Sequence, residues 1–261
     1  MERLRPLTHP ARLVRALLSA RRPTVDYAAL YDNLAALALT DEDIVGRGDF
    51  DLFGRIELAI LVDAGLRPAD VLVDFGCGTG RLALHAVRFL EGGQYIGVEI
   101  SEAILRRAER NVAKAHPDPP CRLRWVHSTA RTFPLADASA DMICAFSVFT
   151  HLEHEDSYQY LCDAVRVVRP GGRFVFSCLA FELEAARRMF CESAARSLSE
   201  RWRRVRNVIT SRDLAEGIAS LAGWRVVAWH RGDEPAFAVP GLTERMALGQ
   251  SVCVLERPRG A

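Results

Sequence analysis

Val71-Leu-Val-Asp-Phe-Gly-Cys-Gly-Thr-Gly80 passes from the pattern of a buried strand to a glycine-rich turn within one step, and the rest of the chain is arranged about it. Val71, Leu72 and Val73 form the short apolar, β-branched run of a central parallel strand covered on both faces, which Asp74 ends. Gly76, Gly78 and Gly80 follow at every second position. Without a Cβ they accept positive φ and let a ligand come close to the backbone. Residues 81–90 then have the pattern of a helix whose free N–H groups face the same spot. The spacing excludes two common nucleotide sites. A dinucleotide turn needs G-x-G-x-x-G, and the third glycine position falls on Arg81 or Ala83. A P-loop needs a lysine that is not there.

What remains, Asp74-x-Gly-x-Gly-x-Gly80, resembles the first motif of the class I S-adenosylmethionine (SAM)-dependent methyltransferases. Gln94-Tyr-Ile-Gly-Val-Glu-Ile100 has the pattern of the next strand, and Glu99 lies 19 residues beyond Gly80, where that family places an acid on the ribose hydroxyls. A carboxylate suits the task because it accepts from both hydroxyls at once. Ser128-Thr-Ala-Arg-Thr-Phe-Pro-Leu135 is similar to a later family landmark, although Thr129 stands where an aspartate commonly meets the adenine amino group. A threonine hydroxyl accepts that bond more weakly, and backbone around Ala130 is the alternative. Arg169-Pro-Gly-Gly-Arg173 is another landmark, a turn in which proline stops a helix and the glycines reverse the chain. The resemblance spans residues 50 to 256. It implies an α/β fold: a Rossmann-like, seven-stranded, mostly parallel sheet with helices on both faces, an antiparallel last strand and an N-terminal helical cap. It further implies SAM as cofactor, S-adenosylhomocysteine as product, and Asp74, Gly76, Cys77, Gly78, Thr79, Gly80, Glu99, Ile100, Thr129, Ala130, Phe146 and Ser147 as cofactor-binding residues.

The remaining elements follow from periodicity and punctuation. Residues 27–38 and 49–65 have helical apolar spacing, with a turn at 40–43 between them and Gly65 and Pro68 as stops. Tyr27, Tyr31, Arg47 and Phe50 are thereby candidates for a lid over the site, with Arg47 a candidate for the methionine carboxylate. Ser101 caps a helix at 101–111, and the prolines at 117–120 break the chain before a strand at 122–127. Residues 141–152 carry the fourth strand into the loop where ligands of doubly wound sheets lie. His151 in that loop is the candidate general base, since imidazole accepts an alcohol proton near neutral pH. His151 and His154 with Glu153 and Glu155 resemble metal ligands only loosely, and a solvated helix start is the expectation, with no metal. Helices are expected at 161–168, within 181–207 and at 210–223. Strands are expected at 174–178, 224–230 and 251–256, the last antiparallel. His230 is a further residue that reaches a strand end.

The domain organisation expected is a cap or lid over 1–49 and one domain over 50–261, with 181–207 and 232–249 as substrate-wall insertions. The 34 basic and 33 acidic residues nearly cancel, so no global field favours nucleic acid or an anionic membrane. Seven cysteines without a C-x-x-C pair point to free thiols in a reducing cytoplasm rather than a disulfide framework or zinc site. The arginine-rich residues 1–23 lack the continuous apolar run of a secretory signal, and a cap helix or tail is expected there rather than a transit peptide or surface helix. The partner expected is a small-molecule methyl acceptor, such as a sugar or secondary metabolite, methylated on oxygen or nitrogen. Two alternatives stay open: an RNA methyltransferase using the arginines of 187–206, and a SAM-binding scaffold without catalysis.

Overall fold

A computed structural model describes residues 26–38, 40–41, 49–202 and 204–259. Arg47, residues 1–23 and the second half of the 40–43 turn lie outside the described residues. The chain runs through α1 (Tyr27–Leu37), α2 (Phe50–Asp63), β1 (Val71–Phe75), α3 (Ala83–Phe89), β2 (Gln94–Glu99), α4 (Glu102–Ala115), β3 (Arg122–His127), β4 (Ala140–Ala145), α5 (His154–Val167) and β5 (Val168–Ala180). It continues through α6 (Glu184–Ala194), α7 (Leu198–Trp202), β6 (Ile209–Thr210), α8 (Arg212–Leu221), β7 (Arg225–His230), a short hairpin of β8 (Phe237–Ala238) and β9 (Arg245–Met246), and β10 (Ser251–Glu256).

The main sheet has the order β3-β2-β1-β4-β5-β10-β7. β10 is antiparallel to both neighbours and the other strands are parallel, as the sequence implied. A two-residue strand, β6, adds an eighth member beside β5. Strand order reverses between β1 and β4, so the carboxyl ends of those two strands open a crevice where crossover connections leave in opposite directions. Side chains alternate across the sheet. Val73, Ile143, Phe174 and Leu255 face a core closed by Leu161 and Ala164 of α5 and Ala215 and Ala219 of α8. Leu72, Met142, Val175 and Val254 face the other core, closed by Ile56 and Ile60 of α2 and Ala83 and Ala86 of α3. Both faces are therefore covered, which is why β1 and β4 are nearly continuous apolar runs.

Caps set the helix starts. Asp49 accepts from Leu52 N at 3.0 Å, Ser101 from Ile104 N at 3.4 Å and Ser211 from Leu214 N at 3.2 Å. Three local expectations change. Asp74 lies inside β1 and does not end it, because β1 pairs with β2 as far as Phe75. The helix after the glycines is shorter than 81–90, with Leu82 at its start. Arg169-Pro-Gly-Gly-Arg173 is a bulge within β5 and not a turn before it. Ala140 opposes Val168 while Met142 opposes Arg173, and Gly171, with φ of 83°, absorbs the extra length. The bulge stays satisfied through Arg257, whose carbonyl accepts from Gly171 N at 2.8 Å and whose N–H donates to Gly172 O at 3.0 Å.

Helix α1 lies over the crevice and is fastened to both sides of it. The Tyr27 hydroxyl donates to Asp156 Oδ2 at 3.0 Å and accepts from Glu153 N at 3.2 Å. Ser101 Oγ donates to Asp32 Oδ1 at 2.6 Å. Among the described residues no helix is long and apolar enough to cross a membrane. Ser101 thus serves two elements at once, the start of α4 and the seat of α1. Ser101→Ala is expected to lower the free energy of unfolding by about 1–2 kcal/mol, read from urea denaturation; an unchanged midpoint would show that neither contact matters.

Candidate active site

The crevice beyond β1, β2 and β4 holds a cavity of about 370 Å³, within the size range of small-molecule sites. Its floor is the glycine loop. Gly76, Gly78 and Gly80 all take positive φ, at 71°, 55° and 94°, which L side chains resist. Gly76 has a second constraint, since a Cβ there would stand 2.4 Å from Val148 Cγ2. Amides of Gly76 and Cys77 donate to Val98 O at 2.8 and 3.2 Å.

Glu99 fastens this loop. One carboxylate oxygen accepts from Gly78 N at 3.0 Å, and the other from Ile100 N at 2.9 Å and Ser101 N at 3.2 Å. The residue is 6% exposed. Burial pushes its carboxyl upward, opposed by those three backbone bonds. With three of a carboxylate's roughly four lone-pair positions taken, Glu99 keeps one for an outside donor.

Two buried acids lie beneath the loop: Asp74, expected at the cofactor, and Glu57, which the sequence reading did not single out. Asp74, on the cavity wall and 3% exposed, accepts from the Tyr95 hydroxyl at 2.6 Å and from Cys144 Sγ at 3.6 Å. Desolvation pushes its carboxyl up to about 7, with the Tyr95 bond pulling the other way. Glu57 of α2 is buried on the same wall and forms an ion pair with Arg81, the residue after the last glycine. Burial raises the Glu57 carboxyl and the Arg81 guanidinium opposes the shift. A lone acid among Ile56, Ala59 and Ile60, on the buried face of an apolar helix, was the available signal.

Cys77, Ile100, Phe146, Ser147 and His151 also line the cavity, Tyr27, Tyr31 and Leu34 join them from α1, and Gln250 completes the lining before β10. Four expected cofactor residues stand elsewhere. Thr79 is buried behind the loop, its carbonyl accepting from Asn111 Nδ2 at 3.0 Å. Gly80 packs on Ala108 and Val112 of α4, so its role is in turn geometry. Thr129 and Ala130 are exposed and off the wall, where Ser128 takes their place. The cause is local: Ser128 N donates to Glu99 O at 3.0 Å, and the chain then turns outward, with Ala130 O accepting from the Tyr160 hydroxyl at 3.2 Å.

His151 lines the cavity from the loop that follows β4. Its Nδ1 is 2.7 Å from the Arg206 carbonyl, which only accepts, so the proton resides on Nδ1 and Nε2 keeps its lone pair. Burial lowers its pKa below the usual value. Tyr31 packs edge-on to the ring at 6.5 Å. Of the expected lid and wall residues, Phe50 is not on the cavity wall, and residues 181–207 contribute Val205 to it. Residues 232–249 do not reach the wall. Their apolar side chains, Phe237, Val239 and Leu248, join the core beside α2, and His230 packs against Phe237 at 4.9 Å. Among the described residues no three His, Cys, Asp or Glu side chains gather as metal ligands.

A family model described as a methyltransferase domain matches residues 73–176. The chain is 34% identical over 108 residues to the 27-O-demethylrifamycin SV methyltransferase of Amycolatopsis mediterranei, covering 41% of this chain and 38% of that protein. It is 30% identical over 177 residues to the ubiquinone/menaquinone biosynthesis C-methyltransferase UbiE of Acidiphilium cryptum, covering 66% and 63%. The chain thus spans less than two thirds of each of these relatives. The magnesium protoporphyrin IX methyltransferase of Synechocystis, solved with bound SAM, superposes with a TM-score of 0.60 at 13% identity, over 90% of this chain and 99% of that one.

Two predictions follow from the floor of the cavity. Glu99→Ala should weaken S-adenosylhomocysteine binding roughly 10- to 100-fold in calorimetry, through lost hydrogen bonds to a charged group, and Gly78→Val should abolish it; wild-type affinity in both variants would place the cofactor elsewhere. For Asp74 the folded pKa is raised, so its contribution to stability is complete below the unfolded value and is lost as pH rises toward about 7. Asp74→Asn retains an acceptor for Tyr95 and removes the titration. Urea unfolding of the two proteins should therefore show the variant gaining on the parent between about pH 4 and about pH 7, whereas parallel stability curves would contradict a neutral Asp74.

Proposed function

We propose, on the premise that this chain belongs to the class I S-adenosylmethionine-dependent methyltransferases, that it transfers a methyl group to an oxygen or nitrogen of a small-molecule acceptor. The observation that carries this reading is one cavity with the Glu99-anchored glycine loop at its floor and His151, its Nδ1 held by the Arg206 carbonyl, on its wall. The residues present suit the cofactor. The positive-φ glycines leave the floor without side chains, Glu99 keeps an acceptor position beside Ser128, and Phe146 and Ile104 supply apolar wall for an aromatic base.

Bound there, SAM supplies an electrophilic methyl group on sulfur, and transfer leaves the electron pair of the broken S–C bond on that sulfur. The protein's own contribution is alignment, exclusion of water and proton acceptance. Helix α1 covers the crevice through Tyr27 and Asp32, which keeps the site dry. For a hydroxyl acceptor, His151 Nε2 takes the proton as the new O–C bond forms. The Arg206 carbonyl holds Nδ1–H, so the imidazole is presented in one tautomer and an imidazolium formed in the reaction stays hydrogen-bonded. Burial keeps the ring neutral before the reaction. A nitrogen acceptor that is already unprotonated uses the same alignment with less demand on the base. The small-molecule assignment is supported by a cavity of small-molecule size lined in part by α1 and by near-zero net charge. Seven free cysteines, five of them buried, support work in the reducing cytoplasm.

With labelled SAM and a pool of hydroxylated small molecules, His151→Ala should lower turnover by about two to four orders of magnitude while S-adenosylhomocysteine still binds. Because the His151 pKa is lowered, the parent's rate should be level through neutral pH and fall only on the acid side of the usual imidazole value. An acid limb that persists in the alanine variant would remove His151 from the reaction.

A further inference from the structure

The cavity has a second built corner, formed where the chain leaves β4 and enters β10. Ser147, just past β4, has φ of 57°, a left-handed conformation that a serine keeps only where its surroundings hold it. A closed ring of hydrogen bonds does so. Ser147 N donates to Ser177 Oγ at 2.8 Å, Ser177 Oγ donates to Gln250 Oε1 at 2.7 Å, and Gln250 Nε2 donates to Ser147 Oγ at 2.9 Å.

The hydrogens of this ring can be assigned. Ser177 lies in β5 with 0% exposure, so its hydroxyl hydrogen needs an acceptor inside the ring, and the Gln250 amide oxygen is the one in reach. That sets the orientation of the Gln250 amide and turns its Nε2 toward Ser147. Ser147 Oγ must then accept, and its own hydrogen has no acceptor among the described residues. Ser147 and Gln250 both line the cavity. The corner therefore offers the Ser147 hydroxyl hydrogen and the second Nε2 hydrogen of Gln250 to the occupant, which makes it a site for an oxygen that accepts twice.

The neighbourhood narrows the occupant further. His151 lies one turn along, its N–H donating to Val148 O at 2.9 Å, so the corner and the base belong to one loop. Tyr31, Val148, Leu152, Tyr160 and Val205 give the cavity much of its apolar and aromatic surface. Among the acids of the lining, Glu57 is paired with Arg81 and the Asp74 carboxyl is pushed up to about 7, which leaves Glu99 as the acid that opposes an anionic occupant.

We propose that the methyl acceptor carries an uncharged carbonyl beside the hydroxyl that is methylated, with the carbonyl oxygen accepting from Ser147 Oγ and Gln250 Nε2 while the hydroxyl faces His151. The assignment rests on the methyltransferase reading of the site and adds the acceptor's chemical class to it. Ser147, expected from sequence beside the cofactor, is on this account an acceptor-binding residue.

The test is calorimetric titration of three phenols into the full chain loaded with S-adenosylhomocysteine: meta-hydroxyacetophenone, whose hydroxyl cannot bond its own carbonyl, meta-ethylphenol of similar shape without the carbonyl, and meta-hydroxybenzoate with a charged group. The ketone should bind about tenfold more tightly than meta-ethylphenol, the difference expected of one or two neutral hydrogen bonds, and meta-hydroxybenzoate should bind more weakly than the ketone. Ser147→Ala should reduce the ketone to the level of meta-ethylphenol and leave meta-ethylphenol itself unchanged. Ser147→Gly, which suits the positive φ and so preserves the fold, should do the same. A ketone that binds no better than meta-ethylphenol, an advantage that survives both substitutions, or tightest binding by meta-hydroxybenzoate overturns the proposal while the cofactor assignment stands. Failure of S-adenosylhomocysteine to bind overturns the methyltransferase reading and the proposal with it.

Discussion

The Glu99 carboxylate holds the glycine loop in place by accepting from the amides of Gly78, Ile100 and Ser101. A loop of positive-φ glycines is otherwise costly, since each glycine gives up much conformational freedom and its amides need partners once buried. Glu99 answers the second demand from the adjoining strand, and Val98 O answers it for Gly76 and Cys77. The effect reaches outward. Ser101, whose N–H is held by Glu99, caps α4 and seats α1 through Asp32. Floor, strand end and cover are thus linked through two adjacent stretches of chain.

That arrangement concentrates acids where water is scarce. Glu57, Asp74 and Glu99 are all buried at one end of the sheet, and burial raises the carboxyl of each. Arg81, Tyr95 and the loop amides offset the cost in part. Placing strained backbone and desolvated acids at the mouth of a sheet reduces stability locally, and the two packed cores on either face supply what compensates. His151 follows the same logic with opposite sign: burial disfavours its charged form and the Arg206 carbonyl fixes its tautomer.

Much of the frame was legible in the sequence because its signals are local. The strands at 122–127 and 251–256 match to the residue, each bounded by prolines, glycines or loop residues. The helix starts after Asp49, Ser101 and Ser211 follow from side-chain capping. Long-range features were not legible. The Glu57–Arg81 pair joins residues 24 apart, and the ring of Ser147, Ser177 and Gln250 joins three strand ends with no pattern in common. Thr129 and Ala130 stand off the cavity wall because the bond from Ser128 to Glu99 brings that wall one residue earlier. The bulge at Arg169-Pro-Gly-Gly-Arg173 was taken for a turn since the same residues favour both.

The central claim is that the loop anchored by Glu99 is a site for SAM. Calorimetric titration of SAM and of S-adenosylhomocysteine into the purified protein tests it most directly. The account predicts saturable binding of both, with micromolar dissociation constants and one site per chain. Absence of heat from either ligand, with the protein folded by circular dichroism, would contradict it.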